Sequence, residues 1–133
     1  MCVFLALGNL PLLENIDVEF NHLNGSLPAF MGSSTSLSSL RVNGNSLTGS
    51  LPLFLGPVSY INISSNFFVG TLCRFQTLNK LQVLSASDNC LEMEVSECLC
   101  GARNITTLVL NTIGIRCTRE LGLDNFGKLP ECI

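Results

Sequence analysis

The chain has 133 residues, the size of one folded unit. It is 47% hydrophobic and 13% charged, yet no run of 18 apolar residues occurs, so this segment makes no membrane span. Net charge is −3 and the 7 basic residues are scattered, which excludes the basic stripe that nucleic-acid binding requires.

Residues 1–13 are apolar but lack a basic n-region and a small-residue cleavage site, so they do not read as a signal peptide. Leu5, Leu7 and Leu10 read instead as the close of a preceding repeat. From Leu13 onward one pattern recurs. Leu13, Ile16, Val18, Asn21, Leu23, Gly25, Leu27 and Pro28 spell L-x-x-L-x-L-x-x-N-x-L-x-G-x-L-P. Leu37, Leu40, Val42, Asn45, Leu47, Gly49, Leu51 and Pro52 repeat it. Val58, Ile61, Ile63, Asn66, Phe68, Gly70 and Leu72 form a third copy, with Cys73 in place of proline. Leu81, Leu84, Ala86, Asn89 and Leu91 open a fourth; Ile105, Leu108 and Leu110 open a fifth, with Ile113 where asparagine belongs. The asparagine positions are separated by 24, 21, 23 and 24 residues, inside the 20–29 window of a leucine-rich repeat. The repeats are placed at 13–36, 37–57, 58–80, 81–104 and 105–133, as one domain over 1–133. The fifth carries an insertion within 115–128, which is either a functional loop or a tolerated one. The terminal stretches lack polar caps, so a fragment of a longer array is expected.

The pattern has a direct physical meaning. Alternation in L-x-L has period two and makes a short strand with one buried face. Such a strand cannot shelter its apolar face alone, but copies stacked about 4.8 Å apart build a parallel sheet over one continuous core. The asparagine sits where the chain leaves the strand, and its amide can pair with backbone groups that the turn would orphan. After the L-P pair, Phe30, Phe54, Phe75 and Cys98 fall at equivalent places and predict an apolar column on the convex side.

The G-x-L-P extension, clearest in Gly25-Ser-Leu-Pro28 and Gly49-Ser-Leu-Pro52, resembles the plant-type leucine-rich repeat of receptor-like kinases, receptor-like proteins and polygalacturonase-inhibitor-like proteins. The resemblance covers roughly residues 3–113. It implies an α/β, right-handed horseshoe solenoid with a concave parallel sheet of about five short strands and a 3₁₀ or irregular convex side. It also implies binding of a protein, peptide or glycan, without a cofactor.

Seven cysteines are present, five of them in the C-terminal third. Cys98 and Cys132 share the convex column on adjacent coils, and coil spacing suits a disulfide between them. Two buried thiols are the plain alternative. A zinc site from Cys90, Cys98, Cys100 and Cys117 is disfavoured by spacings that form no paired knuckles. Glycosylation sequons begin at Asn24, Asn62 and Asn104. With the cysteines and the resemblance, they favour an extracellular ectodomain over a cytoplasmic location.

Exposed residues of successive strands should stack into columns on the concave face. One runs Asp17, Arg41, Asn62, Ser85, Val109; the next Glu19, Asn43, Ser64, Ser87, Asn111; a third Phe20, Gly44, Ser65, Asp88, Thr112. Asn15, Ser39, Tyr60, Val83 and Thr107 flank them. Asp17, Glu19, Phe20, Arg41, Asn43, Tyr60, Asn62, Ser85 and Asp88 are the candidate ligand-binding residues, with Tyr60 and Phe20 as the aromatic anchors. No enzyme is expected. The one histidine, His22, lies in a turn with no cysteine in its repeat, and no phosphate-binding, dinucleotide or zinc-protease motif occurs. A structural or adhesive scaffold is the second reading.

Overall fold

In a computed structural model, residues 4, 7–53, 56–72, 79–92 and 102–111 are described. Each L-x-L segment forms a three-residue strand: β1 (Asn15–Asp17), β3 (Ser39–Arg41), β5 (Tyr60–Asn62), β7 (Val83–Ser85) and β9 (Thr107–Val109). All neighbours in this five-stranded sheet are parallel, in the order β1-β3-β5-β7-β9. The register aligns Ile16, Leu40, Ile61, Leu84 and Leu108. The first four of these point inward and are buried, because a strand alternates its faces and the even-spaced apolar residues take the core side.

The ladder continues past the assigned strand ends. Val18, Val42, Ile63 and Ala86 each donate N–H to a carbonyl of the following coil, and Phe20, Gly44, Ser65 and Asp88 repeat this two residues later. Those last four residues all have positive φ, at 51°, 69°, 54° and 53°. A left-handed residue at this point turns the chain out of the strand and aims the next side chain, the repeated asparagine, inward.

The asparagines do what the sequence predicts. Asn45 donates Nδ2 to the carbonyls of Val42 and Asn43 in its own coil and to Val18 in the coil before, while its Oδ1 accepts the Leu23 N–H at 3.0 Å. Asn66 does the same with Ile63, Ser64, Val42 and the Leu47 N–H. Asn89 does so with Ala86, Ser87, Ile63 and the Phe68 N–H. Asn66 and Asn89 are fully buried, a location that polar amides tolerate only when every atom is bonded.

A second sheet departs from the expected irregular path after the asparagine. β2 (Asn24–Ser26), β4 (Ser46–Ser50), β6 (Phe67–Thr71) and β8 (Cys90–Glu92) form a four-stranded parallel sheet. Leu47, Phe68 and Leu91 fill the core from it. Gly25, Gly49 and Gly70 lie in it with positive φ. The N-x-L-x-G-x-L run thus alternates in the same way as the first strand. The period was present, but its shortness and the glycine concealed a strand.

The convex side is described in part. Phe30–Ser33 form a one-turn helix, α1, where a 3₁₀ or irregular segment was expected. Phe30 packs against the core as predicted, and its neighbour Met31 is the more deeply buried of the two. Phe54, Phe75, Cys98 and the 115–128 insertion lie outside the described residues. Gly32 in α1 permits close approach of the next coil, since a Cβ there would stand 2.4 Å from the Leu53 carbonyl oxygen.

Candidate functional site

In the first sheet the residues on either side of each strand's central apolar residue point away from the core. Its register fixes the columns predicted from sequence: Asn15, Ser39, Tyr60, Val83 and Thr107 align, as do Asp17, Arg41, Asn62, Ser85 and Val109. Hydrogen bonds beyond the strand ends carry the same register through Glu19, Asn43, Ser64, Ser87 and Asn111. The candidate residues therefore share one surface.

Across its first three strands runs a linked set of side chains. Arg41 Nη1 lies 3.5 Å from Asp17 Oδ2, and the Arg41 guanidinium stands 4.8 Å from the centre of the Tyr60 ring. Both charged side chains are about half exposed, so the ion pair contributes about 0–1 kcal/mol and mainly orients the guanidinium. The stacking on Tyr60 adds a comparable amount. Neighbouring polar groups also satisfy one another. Ser64 and Ser85 hydroxyls are 2.7 Å apart, the Asn62 Oδ1 accepts the Ser64 N–H, and Ser65 Oγ donates to Asp88 Oδ2. The Ser87 Oγ accepts the Asn111 N–H.

Two candidates behave differently from what their positions in sequence imply. Asn43 is not an open surface amide; it is 7% exposed, and its Oδ1 has no hydrogen-bond partner. Phe20 is 78% exposed and holds a left-handed backbone, with its ring against the α-carbon of Gly44. A Cβ at Gly44 would stand 2.6 Å from Phe20 Cδ1, so the glycine is what gives the ring its seat. Sequence reasoning missed both features. The signal available for the second was a glycine in the column next to a phenylalanine.

The sequons differ in setting. Asn24 lies exposed on β2, Asn62 is half-buried on the concave face, and Asn104 is exposed with its Nδ2 donating to the Asn79 carbonyl. Cys90 is disulfide-bonded. The predicted partners Cys98 and Cys132 lie outside the described residues. Among the described residues, no helix is long and apolar enough to cross a membrane, and no three His, Cys, Asp or Glu residues cluster as metal ligands.

Comparison with known proteins is consistent with this architecture. The family model for the leucine-rich repeat matches residues 36–58, the second repeat. A search of curated proteins found no match. Among solved structures, the chain is similar to the leucine-rich-repeat ectodomain of the receptor kinase SOBIR1 from Arabidopsis thaliana. The TM-score is 0.70 at 23% identity, over 81% of this chain and 59% of that one. This chain therefore spans somewhat over half the length of that ectodomain. The asparagine ladder, the paired parallel sheets and these matches together give the chain the fold of a leucine-rich-repeat solenoid.

Proposed function

We propose that this chain is a non-catalytic recognition module that binds a protein or peptide through the concave sheet, as part of a receptor-like or inhibitor-like protein. The observation that carries the reading is the Asp17–Arg41–Tyr60 set, a charged and aromatic cluster presented on a mostly small and polar sheet. Aromatic and arginine side chains are the residues that most often dominate binding energy, and holding them in place before contact reduces the entropy lost on binding. The likeness to a receptor-kinase ectodomain supports an extracellular location. A disulfide at Cys90 accords with an oxidising compartment.

The test is a random-peptide display selection against the whole chain, followed by affinity measurement on a variant with Asp17, Arg41 and Tyr60 all changed to alanine. Peptides enriched on the native chain should lose about tenfold or more in affinity, the loss of one modest hot spot. The variant should keep the native circular dichroism spectrum. Selected peptides that bind the variant equally well would move the site off this face.

A further inference from the structure

We infer that the outward face of the second sheet seats the chain's own glycan: an N-linked oligosaccharide on Asn24 folds back across Ser46 and Thr48 and stacks on Phe67 and Val69. This rests on the extracellular reading, since the sequon is an acceptor only in a secreted chain. It assigns a surface that the concave-face reading leaves unused.

Placement carries the argument. Leu47, Phe68 and Leu91 turn their side chains into the core, so the residues that alternate with them face outward. On that outer face Asn24 lies beside Ser46. Ser26, Thr48 and Phe67 form the next row across three strands, and Ser50, Val69 and Cys90 form the row after it. The exposed sequon Asn24-Gly-Ser26 therefore shares one surface with two apolar side chains, Phe67 at 42% and Val69 at 45% exposure. Phe67 stands two strands across and two residues along from Asn24, about 12 Å between α-carbons at ordinary sheet spacings. An asparagine side chain extended by two N-acetylglucosamines spans that gap.

The chemistry of the surface matches a sugar. Ser26, Ser46, Thr48 and Ser50 are exposed, and their hydroxyls make no hydrogen bond among the described residues. A pyranose carries hydroxyls on its edges and C–H groups on its faces. The serine and threonine hydroxyls answer the edges, because each both donates and accepts. Phe67 and Val69 answer the faces, and the negative face of an aromatic ring attracts polarised C–H groups. The one charge on these four strands is Glu92, beside Thr71, so the surface has little charge with which to steer or select a protein partner. Apolar side chains adjacent on one exposed face mark a contact. The sequon supplies a cover tethered to the same face.

The test compares the whole chain, secreted from a glycosylating host, with Asn24→Gln, Phe67→Ser and the double variant. Peptide mapping by mass spectrometry should find Asn24 occupied. The glycan should raise the melting temperature by about 2–5 °C over Asn24→Gln, the effect of one ordinary contact in a chain of this size. With serine at position 67 that gain should fall to about 1 °C or less, because the two sites are coupled. Nuclear Overhauser contacts between sugar protons and the Phe67 ring, with upfield ring-current shifts of those protons, read the contact without depending on the folding of any variant. An occupied Asn24 whose glycan stabilises Phe67→Ser equally and shows no such contacts would overturn the inference and leave the extracellular reading in place. An unoccupied Asn24 would overturn it and count against that reading as well. A dimer of the glycosylated chain that Phe67→Ser dissolves, measured by light scattering, would give the patch to a second copy instead. None of these outcomes bears on the Asp17–Arg41–Tyr60 set, which lies on the other sheet.

Discussion

Asn66→Ala tests the structural logic of the solenoid most directly. Asn66 makes four hydrogen bonds, but its removal does not orphan four partners. The Val42 carbonyl keeps Asn45, the Ile63 carbonyl keeps Asn89, and the Ser64 carbonyl keeps the Gly44 N–H. The Leu47 N–H alone loses its partner, in a fully buried setting. An unsatisfied buried donor costs about 1–3 kcal/mol. The void left by the amide adds roughly 1–2 kcal/mol. The expected loss is therefore about 2–5 kcal/mol, a large share of the roughly 5–15 kcal/mol that stabilises an ordinary domain. Asn21→Ala is the internal control. Asn21 is exposed and donates only to the Val18 and Glu19 carbonyls of its own coil, so about 1 kcal/mol or less is expected. Urea denaturation followed by far-ultraviolet circular dichroism measures both. If the two variants lose equal stability, the inter-coil N–H bond is not what makes the buried asparagine necessary.

Other consequences follow from close approach, exposure and accessibility. Gly32→Ala should lower stability by about 1–3 kcal/mol through a backbone clash with Leu53, whereas Gly25→Ala meets nothing within 4 Å and should cost only about 1 kcal/mol from its φ of +87°; paired thermal melts would show the order. Arg41→Ala should change folding stability by less than about 1 kcal/mol, since its ion pair is half exposed, and a larger drop in a denaturant titration would assign the pair a structural role. In a glycosylating host, peptide mapping by mass spectrometry should find a glycan on exposed Asn24 and none on half-buried Asn62. Full occupancy at Asn62 would conflict with use of that surface for binding.

The repeat and the first sheet were legible because they depend on short-range periodicity. Spacing two within L-x-L places Leu40 and Ile61 on the core side, and spacing of about two dozen residues brings their strands side by side. The asparagine role was legible for the same reason: a polar residue in a fixed place in four successive coils can only be buried if the stack bonds it. The concave columns followed from counting residues from one asparagine to the next, and the register agrees with them. The second sheet was missed, because Gly49 and Gly70 stand at core-side positions of a short alternation and bring no apolar side chain to mark it, and its strands gain their order only from pairing with neighbouring coils.

The amino-acid order by itself determined that coils would stack, where they would turn, and which residues would share the concave surface. Those outcomes depend on local period and on burying leucines, which any sequential neighbour can supply. Only the tertiary structure decided that Asn43 would be enclosed with an unanswered acceptor, that Phe20 would lie over Gly44, and that Arg41 would sit between Asp17 and Tyr60. These depend on rotamers and contacts between residues some twenty positions apart, set by packing across coils and invisible to any window of sequence.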